Sequence, residues 1–167
     1  MTGEGPINPA LRFHLWLYNK RPKTQSLVHS HAPFASALSI SGQALAVAHM
    51  DSAMFFEDCA HLEQWPGVPF GDEEGEIIAN CMGDKRAILL ANHGLLTAGT
   101  TVKEATYLAM NFERAAKMQI RASAAGPVQS LPTRLAKEAH DFLLSKDIVD
   151  VTFDAWHRRV TRQEVQA

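Results

Sequence analysis

The chain has 167 residues, 46% of them apolar and 20% charged, with a net charge of −2. That profile suits one globular domain over residues 1–167 and excludes a disordered polymer; no basic stripe points to nucleic acid, and no run approaches the length of a membrane span. Two cysteines, Cys59 and Cys81, are too few for a disulfide framework and match no zinc spacing, so they read as buried thiols and a cytoplasmic location is expected.

Met1–Pro6 is Gly-rich and reads as loose chain. Asn8-Pro9 is a helix start, with Asn as N-cap and Pro at the first helical position, and the helix runs from Ala10 to about Asn19. Its apolar residues Leu11, Phe13, Leu15, Leu17 and Tyr18 nearly ring it, which predicts burial. Ser26–His31 is the first strand, Pro33 opens a short helix to Ile40, and Ala44–Met50 is short and apolar enough for a second strand. Asp51–Gly71 shows no period and reads as a long functional loop, with Glu57, Asp58 and Glu63 as solvated carboxylates and Phe55, Phe56 and Trp65 as a packed loop or a subunit contact. Asp72 caps a helix that Gly83 stops after Met82. Ala87–Ala91 is a buried strand, after which Gly94 marks the chain leaving the sheet. Thr101 and Glu104 form a capping box for the longest helix, ended by Gly126-Pro127, and Pro132–Ser145 and Thr152–Arg162 are two further helices, the last carrying the basic cluster Trp156-His157-Arg158-Arg159 with Arg162. About three strands alternate with five or six helices, the order of an α/β layered domain that is short of strands for its helices.

The chemistry points to histidine. His29 and His31 stand at i and i+2 in Val28-His29-Ser30-His31-Ala32-Pro33, so a strand aims both imidazoles to one side. His93 follows the apolar run Ala87–Ala91, within Asn92-His93-Gly94. If the two strands are neighbours, three imidazoles converge on one point and make a metal site with room for water or substrate. The alternative is three separate, hydrogen-bonded core histidines. An all-imidazole set favours zinc and also accepts Fe(II), Mn or Co. His14 reads as a core histidine. His49 and Asp51 stand at the end of the second predicted strand. Asn92 either orients His93 or makes the turn.

These residues resemble the class II aldolase/adducin family. The resemblance rests on Leu11-Arg12-Phe13-His14, Tyr18, Arg21-Pro22, Val28-His29-Ser30-His31-Ala32, Asn92-His93-Gly94-Leu95-Leu96, Gly99 and the helix through Glu104, Glu113 and Gln119, and covers about Asn8 to Arg159. It implies a three-layer α/β/α sandwich, a homotetramer, and a divalent metal, usually zinc, on His29, His31 and His93. It further implies reversible cleavage of a carbon–carbon bond in a small hydroxy-carbonyl compound through an enolate that the metal stabilises as a Lewis acid. Related members decarboxylate or epimerise; a few are Fe(II) oxygenases; adducins are scaffolds without the ligands.

Three departures follow from the same resemblance. Ala10 stands where the aldolases carry a catalytic glutamate, and Met50, after His49, where they place a tyrosine; the family layout implies that His49 lies near the metal, and it and the adjacent Asp51 are the candidates for proton transfer. Family domains also begin upstream with further strands and a Gly-rich anion-binding turn, so part of the sheet is expected to be missing from this chain.

Overall fold

The structure is a computed structural model that describes residue 8, residues 10–67 and residues 72–164. In chain order its elements are α1 (Leu11–Lys20), β1 (Ser26–Ser30), α2 (Pro33–Ile40), α3 (Met50–Ala53), β2 (Cys59–Leu62), α4 (Glu73–Met82), β3 (Ala87–Leu90), β4 (Gly94–Gly99), α5 (Val102–Ser123), α6 (Thr133–Leu143) and α7 (Lys146–Glu164). The sheet order is β1-β4-β3-β2, with β4 antiparallel to both neighbours and β2 parallel to β3.

Strand alternation divides the core in two. Ile88, Leu90, Leu96 and Ala98 meet Phe13 and Leu17 of α1 and Ile78 and Met82 of α4 on one face. Ala87, Leu89 and Leu95 meet Leu38 of α2 and Leu108 and Phe112 of α5 on the other. The result is the expected α/β/α sandwich, with α6 and α7 packed outside α5 and α3. Among the described residues, no helix is long and apolar enough to cross a membrane.

Several elements differ from expectation. Gly94 does not lead out of the sheet: Ala91–His93 form a tight turn and the chain returns as β4, which slots between β1 and β3. Asn92 makes that turn possible by adopting a left-handed φ of 54°. Ala44–Met50 is no strand, because its backbone is satisfied elsewhere. The Gln119 side chain accepts from Ala46 N–H (2.7 Å) and donates to Ala44 O (3.0 Å), while Val47 O accepts from Leu131 N–H. The supposed loop after Asp51 holds α3 and β2; the Cys-Ala-His-Leu of β2 has no alternating pattern, and its pairing with β3 makes it a strand. The strand shortage read from the sequence is thus partly two overlooked strands.

The helix ends are also rearranged. Asn8 Oδ1 accepts from Ala10 N–H at 2.9 Å, while Pro9 and the Met1–Pro6 segment lie outside the described residues. α1 buries only Phe13 and Leu17 fully and leaves Leu15 and Tyr18 exposed, because α1 lies on the surface of the sheet layer; the Tyr18 hydroxyl accepts from Leu27 N–H on β1. Asp72 makes no capping contact and faces Arg12 instead. The Thr101 hydroxyl caps Glu104 N–H, but the Glu104 carboxylate turns to Thr100 and to Arg86, so the box is half made. α7 begins at Lys146 rather than Thr152 and stacks Trp156 on Tyr107.

Candidate metal centre

The β1–β4 register pairs His29 with Leu96 and Ser30 with Leu95, so the end of β1 lies beside the start of β4. His93, in the turn just before β4, is carried to the same place. The three rings form a near-equilateral triangle with centroids 5.0, 4.8 and 4.8 Å apart, and one ligating nitrogen from each lies within 4.8 Å of the others. Among the described residues no other His, Cys, Asp or Glu joins this cluster.

The tautomers follow from the contacts. His29 Nδ1 lies 3.0 Å from Leu95 O, a carbonyl that can only accept, so Nδ1 carries the proton and Nε2 keeps its lone pair. That Nε2 is 3.2 Å from His31 Nε2. Two nitrogens bound tetrahedrally to one ion at the usual Zn–N length stand about 3.3 Å apart, so the spacing fits a shared cation. His93 Nδ1 is buried without a hydrogen-bond partner, a polar atom in need of one. The carbonyl behind His29 also fixes the ring, as partners behind metal-binding imidazoles do.

Burial disfavours the charged form of His29 and of His93. His29 is half-buried against Phe13, whose ring centroid is 5.1 Å away, and His14 lies beyond it at 6.5 Å. Burial, then the neighbouring His93 and His31, pull the His29 imidazole down from 6.5 to about 4. Burial and then His31 lower His93, and burial lowers His14. A folded pKa below the unfolded one means the unfolded chain takes up a proton first. The His29 contribution to stability is therefore complete above pH 6.5 and shrinks as the pH falls toward 4. Metal-free protein should melt at lower temperature across that window, and the wild type should lose more than a His29→Gln variant; parallel curves for the two would contradict this.

The other candidates have contacts of their own. His49 Nδ1 accepts from Asp51 N–H, and Ser52 Oγ accepts from His49 N–H, so His49 caps α3. The Asp51 carboxylate pairs with Arg114 Nε at 2.8 Å on α5. Neither residue supplies an atom to the imidazole cluster. Asp58 corrects the solvated-carboxylate expectation: it accepts from Arg86 N–H and from the Arg86 guanidinium at 2.6 Å, with His140 at 3.4 Å, because β3 starts beside it. Phe55 is packed on Phe112, and Trp65 is exposed. Cys59 is an inert thiol, pushed up to about 12 by burial, and the Cys81 thiol faces His61 O. Asn92 serves the turn, and its N–H donates to Ser39 O at 3.2 Å.

Two positioning features escaped the sequence reading. The Cβ that Gly94 lacks would lie 2.5 Å from Ser30 O and 3.2 Å from His31 Cδ2, so only glycine lets β4 start this close to the end of β1. Glu113 on α5 accepts three backbone hydrogen bonds at the start of α2. An unaccompanied glycine after the histidine was the signal for the first; the second had none beyond its place in the matched helix.

The family model for the class II aldolase and adducin N-terminal domain matches residues 1–120. A 4-hydroxy-3-prenylphenylpyruvate oxygenase/4-hydroxy-3-prenylbenzoate synthase of Streptomyces roseochromogenus subsp. oscitans is 30% identical over 138 residues, 82% of this chain and 50% of that protein. An L-fuculose phosphate aldolase of Haemophilus influenzae is 31% identical over 136 residues, 81% of this chain and 61% of that protein. Proteins named as a decarboxylase and as α-adducin match at similar identity. Among solved structures, an L-fuculose 1-phosphate aldolase from Glaciozyma antarctica superposes with a TM-score of 0.86 at 26% identity, over 99% of this chain and 65% of that one. The chain thus spans about half the length of the first curated relatives it matches. With the histidine-bearing strand and turn inside the matched region, the chain belongs to the class II aldolase and adducin family.

Proposed function

We propose that this protein is a metal-dependent carbon–carbon lyase, an aldolase or decarboxylase acting on a small hydroxy-carbonyl compound. The observation that carries the proposal is the convergence of His29, His31 and His93, with Leu95 O holding the proton on His29 Nδ1 and so leaving its Nε2 lone pair to face the other two rings. These three residues would hold a divalent ion, zinc in the first place, with Fe(II), Mn or Co as the other candidates. Bound there, the ion supplies Lewis-acid polarisation of a carbonyl oxygen.

The protein's own groups do the rest. Leu95 O holds the His29 ring and its tautomer, and Phe13 walls it off from water. Ala10 and Met50 cannot move a proton, which favours a reaction that needs no base to begin, and decarboxylation is such a reaction. His49 and Asp51 are proposed as the proton-transfer groups; the support is an imidazole Nε2 with no protein partner among the described residues and a carboxylate set beside Arg114. Homotetrameric assembly, which rests on the family resemblance, and a cytoplasmic location, which rests on the two free cysteines, belong to the same proposal.

Elemental analysis of purified protein tests it. Stoichiometric zinc or manganese fits a lyase, firmly held iron an oxygenase, and no metal a scaffold of the adducin kind. His31→Ala should abolish metal content while leaving the far-ultraviolet circular dichroism unchanged; retained metal in that variant would refute the ligand assignment.

A further inference from the structure

α2 is an eight-residue helix that starts two residues after His31, and its first turn lacks its own cap. Ala32 at the N-cap has no side-chain acceptor, and Pro33 has no N–H. The first free donors, Phe34 and Ala35 N–H, are both taken by Glu113 from the middle of α5. Phe34 N–H donates to Oε1 at 2.9 Å and Oε2 at 3.0 Å, and Ala35 N–H donates to Oε2 at 2.7 Å. A carboxylate at this end also meets the positive pole of the helix, so the clamp is charge-assisted. At the far end of α2, Ser39 O accepts from the N–H of Asn92, the residue before His93. One short helix therefore touches both ligand-bearing segments, and one side chain caps its first turn.

We infer that Glu113 is a positioning residue for the imidazole cluster: acting through α2, it sets His31 and His93 relative to one another. This rests on the cluster being the metal centre proposed above. Gln119, also on α5, serves as the comparison, because it tethers Ala44–Ala46 and makes no bond to α2.

The test is a Co²⁺ titration of metal-free protein, read by the visible d–d band, whose position and intensity follow ligand geometry. Glu113→Ala should weaken Co²⁺ binding by roughly ten-fold or more and change the band. Glu113→Gln keeps one acceptor oxygen and should fall between the wild type and Glu113→Ala. Gln119→Ala should lower the melting temperature yet leave the band and the affinity as in wild type. Wild-type affinity and band in Glu113→Ala would overturn the inference, as would equal losses in Glu113→Ala and Gln119→Ala. If Glu113→Ala fails to fold, Glu113→Gln decides by the same two readouts. A wild-type protein that takes up no Co²⁺ would defeat the metal reading instead. The positioning would then be judged by the imidazole NMR signals of His31 and His93, which should move in Glu113→Gln and stay fixed in Gln119→Ala; signals unmoved in Glu113→Gln would overturn it.

Discussion

Alanine at Gly94 is expected to dismantle the imidazole cluster and to destabilise the fold by about 1–3 kcal/mol, the usual cost of forcing extra volume into a packed site. The added methyl would meet Ser30 O, a backbone atom, at 2.5 Å. A flexible side chain could swing aside from such a contact, but Ser30 is bound into the ladder opposite Leu95. Relief must come from moving the end of β1 away from the start of β4. That is the movement that separates His31 from His93. For a domain of this size the penalty corresponds to a fall of roughly 2–4 °C in melting temperature per kcal/mol. Calorimetry and metal analysis of Gly94→Ala check both halves. A variant that melts with wild type and retains its metal would show that the close approach is unimportant.

The second large effect is expected at Phe13. This ring is fully buried between α1, α4 and the sheet, and it also lies edge-on to His29. Phe13→Ala should destabilise the protein by about 3–5 kcal/mol through lost burial and the cavity left behind. It should also admit water beside His29. Burial is the main reason that this imidazole is held down to about 4, so its pKa should rise toward 6.5 in the variant. Denaturant unfolding measures the first change and an NMR titration of the His29 ring the second. A loss of stability below about 1 kcal/mol would mean that the site collapses around the gap.

These two residues show what could be read from the chain and what could not. Phe13 was one of five apolar residues that nearly ring α1, and only the sheet beneath picks it and Leu17 out for burial. The His29-x-His31 spacing announces one strand face, a local pattern. The buried strand at Ala87 and the helix from Thr101 were legible for the same reason. β4 was not, because a glycine after a histidine reads equally as an exit or as a tight turn. Only the left-handed Asn92 and the neighbouring β1 decide between them. β2 owes its existence to β3, a tertiary pairing with no local signature. Ala44–Met50 failed as a strand because Gln119, far along the chain, supplies the hydrogen bonds that a neighbouring strand would have supplied. The convergence of the histidines was expected if the first strand and the Ala87 strand were neighbours; they are not, because β4 lies between β1 and β3, and the rings meet because His93 stands in the turn that leads into β4, beside the end of β1. The role of Glu113 depends on a contact 79 positions away, beyond any window of periodicity.

The middle place of β4 in the sheet sets a timetable. β1 has no ladder to join until the hairpin that follows β3 has formed, and the bond from His29 to Leu95 spans 66 positions. A nascent chain that has left the ribosome only as far as α2 offers an incoming cation two adjacent imidazoles, a weak chelate. The third ring arrives only after the middle third has been synthesised and has folded back. On the proposed metal reading, cation capture would wait for that fold, and the ion would act as a rivet across the seam between the first and middle thirds of the chain. Chelators should loosen that seam before they melt the rest.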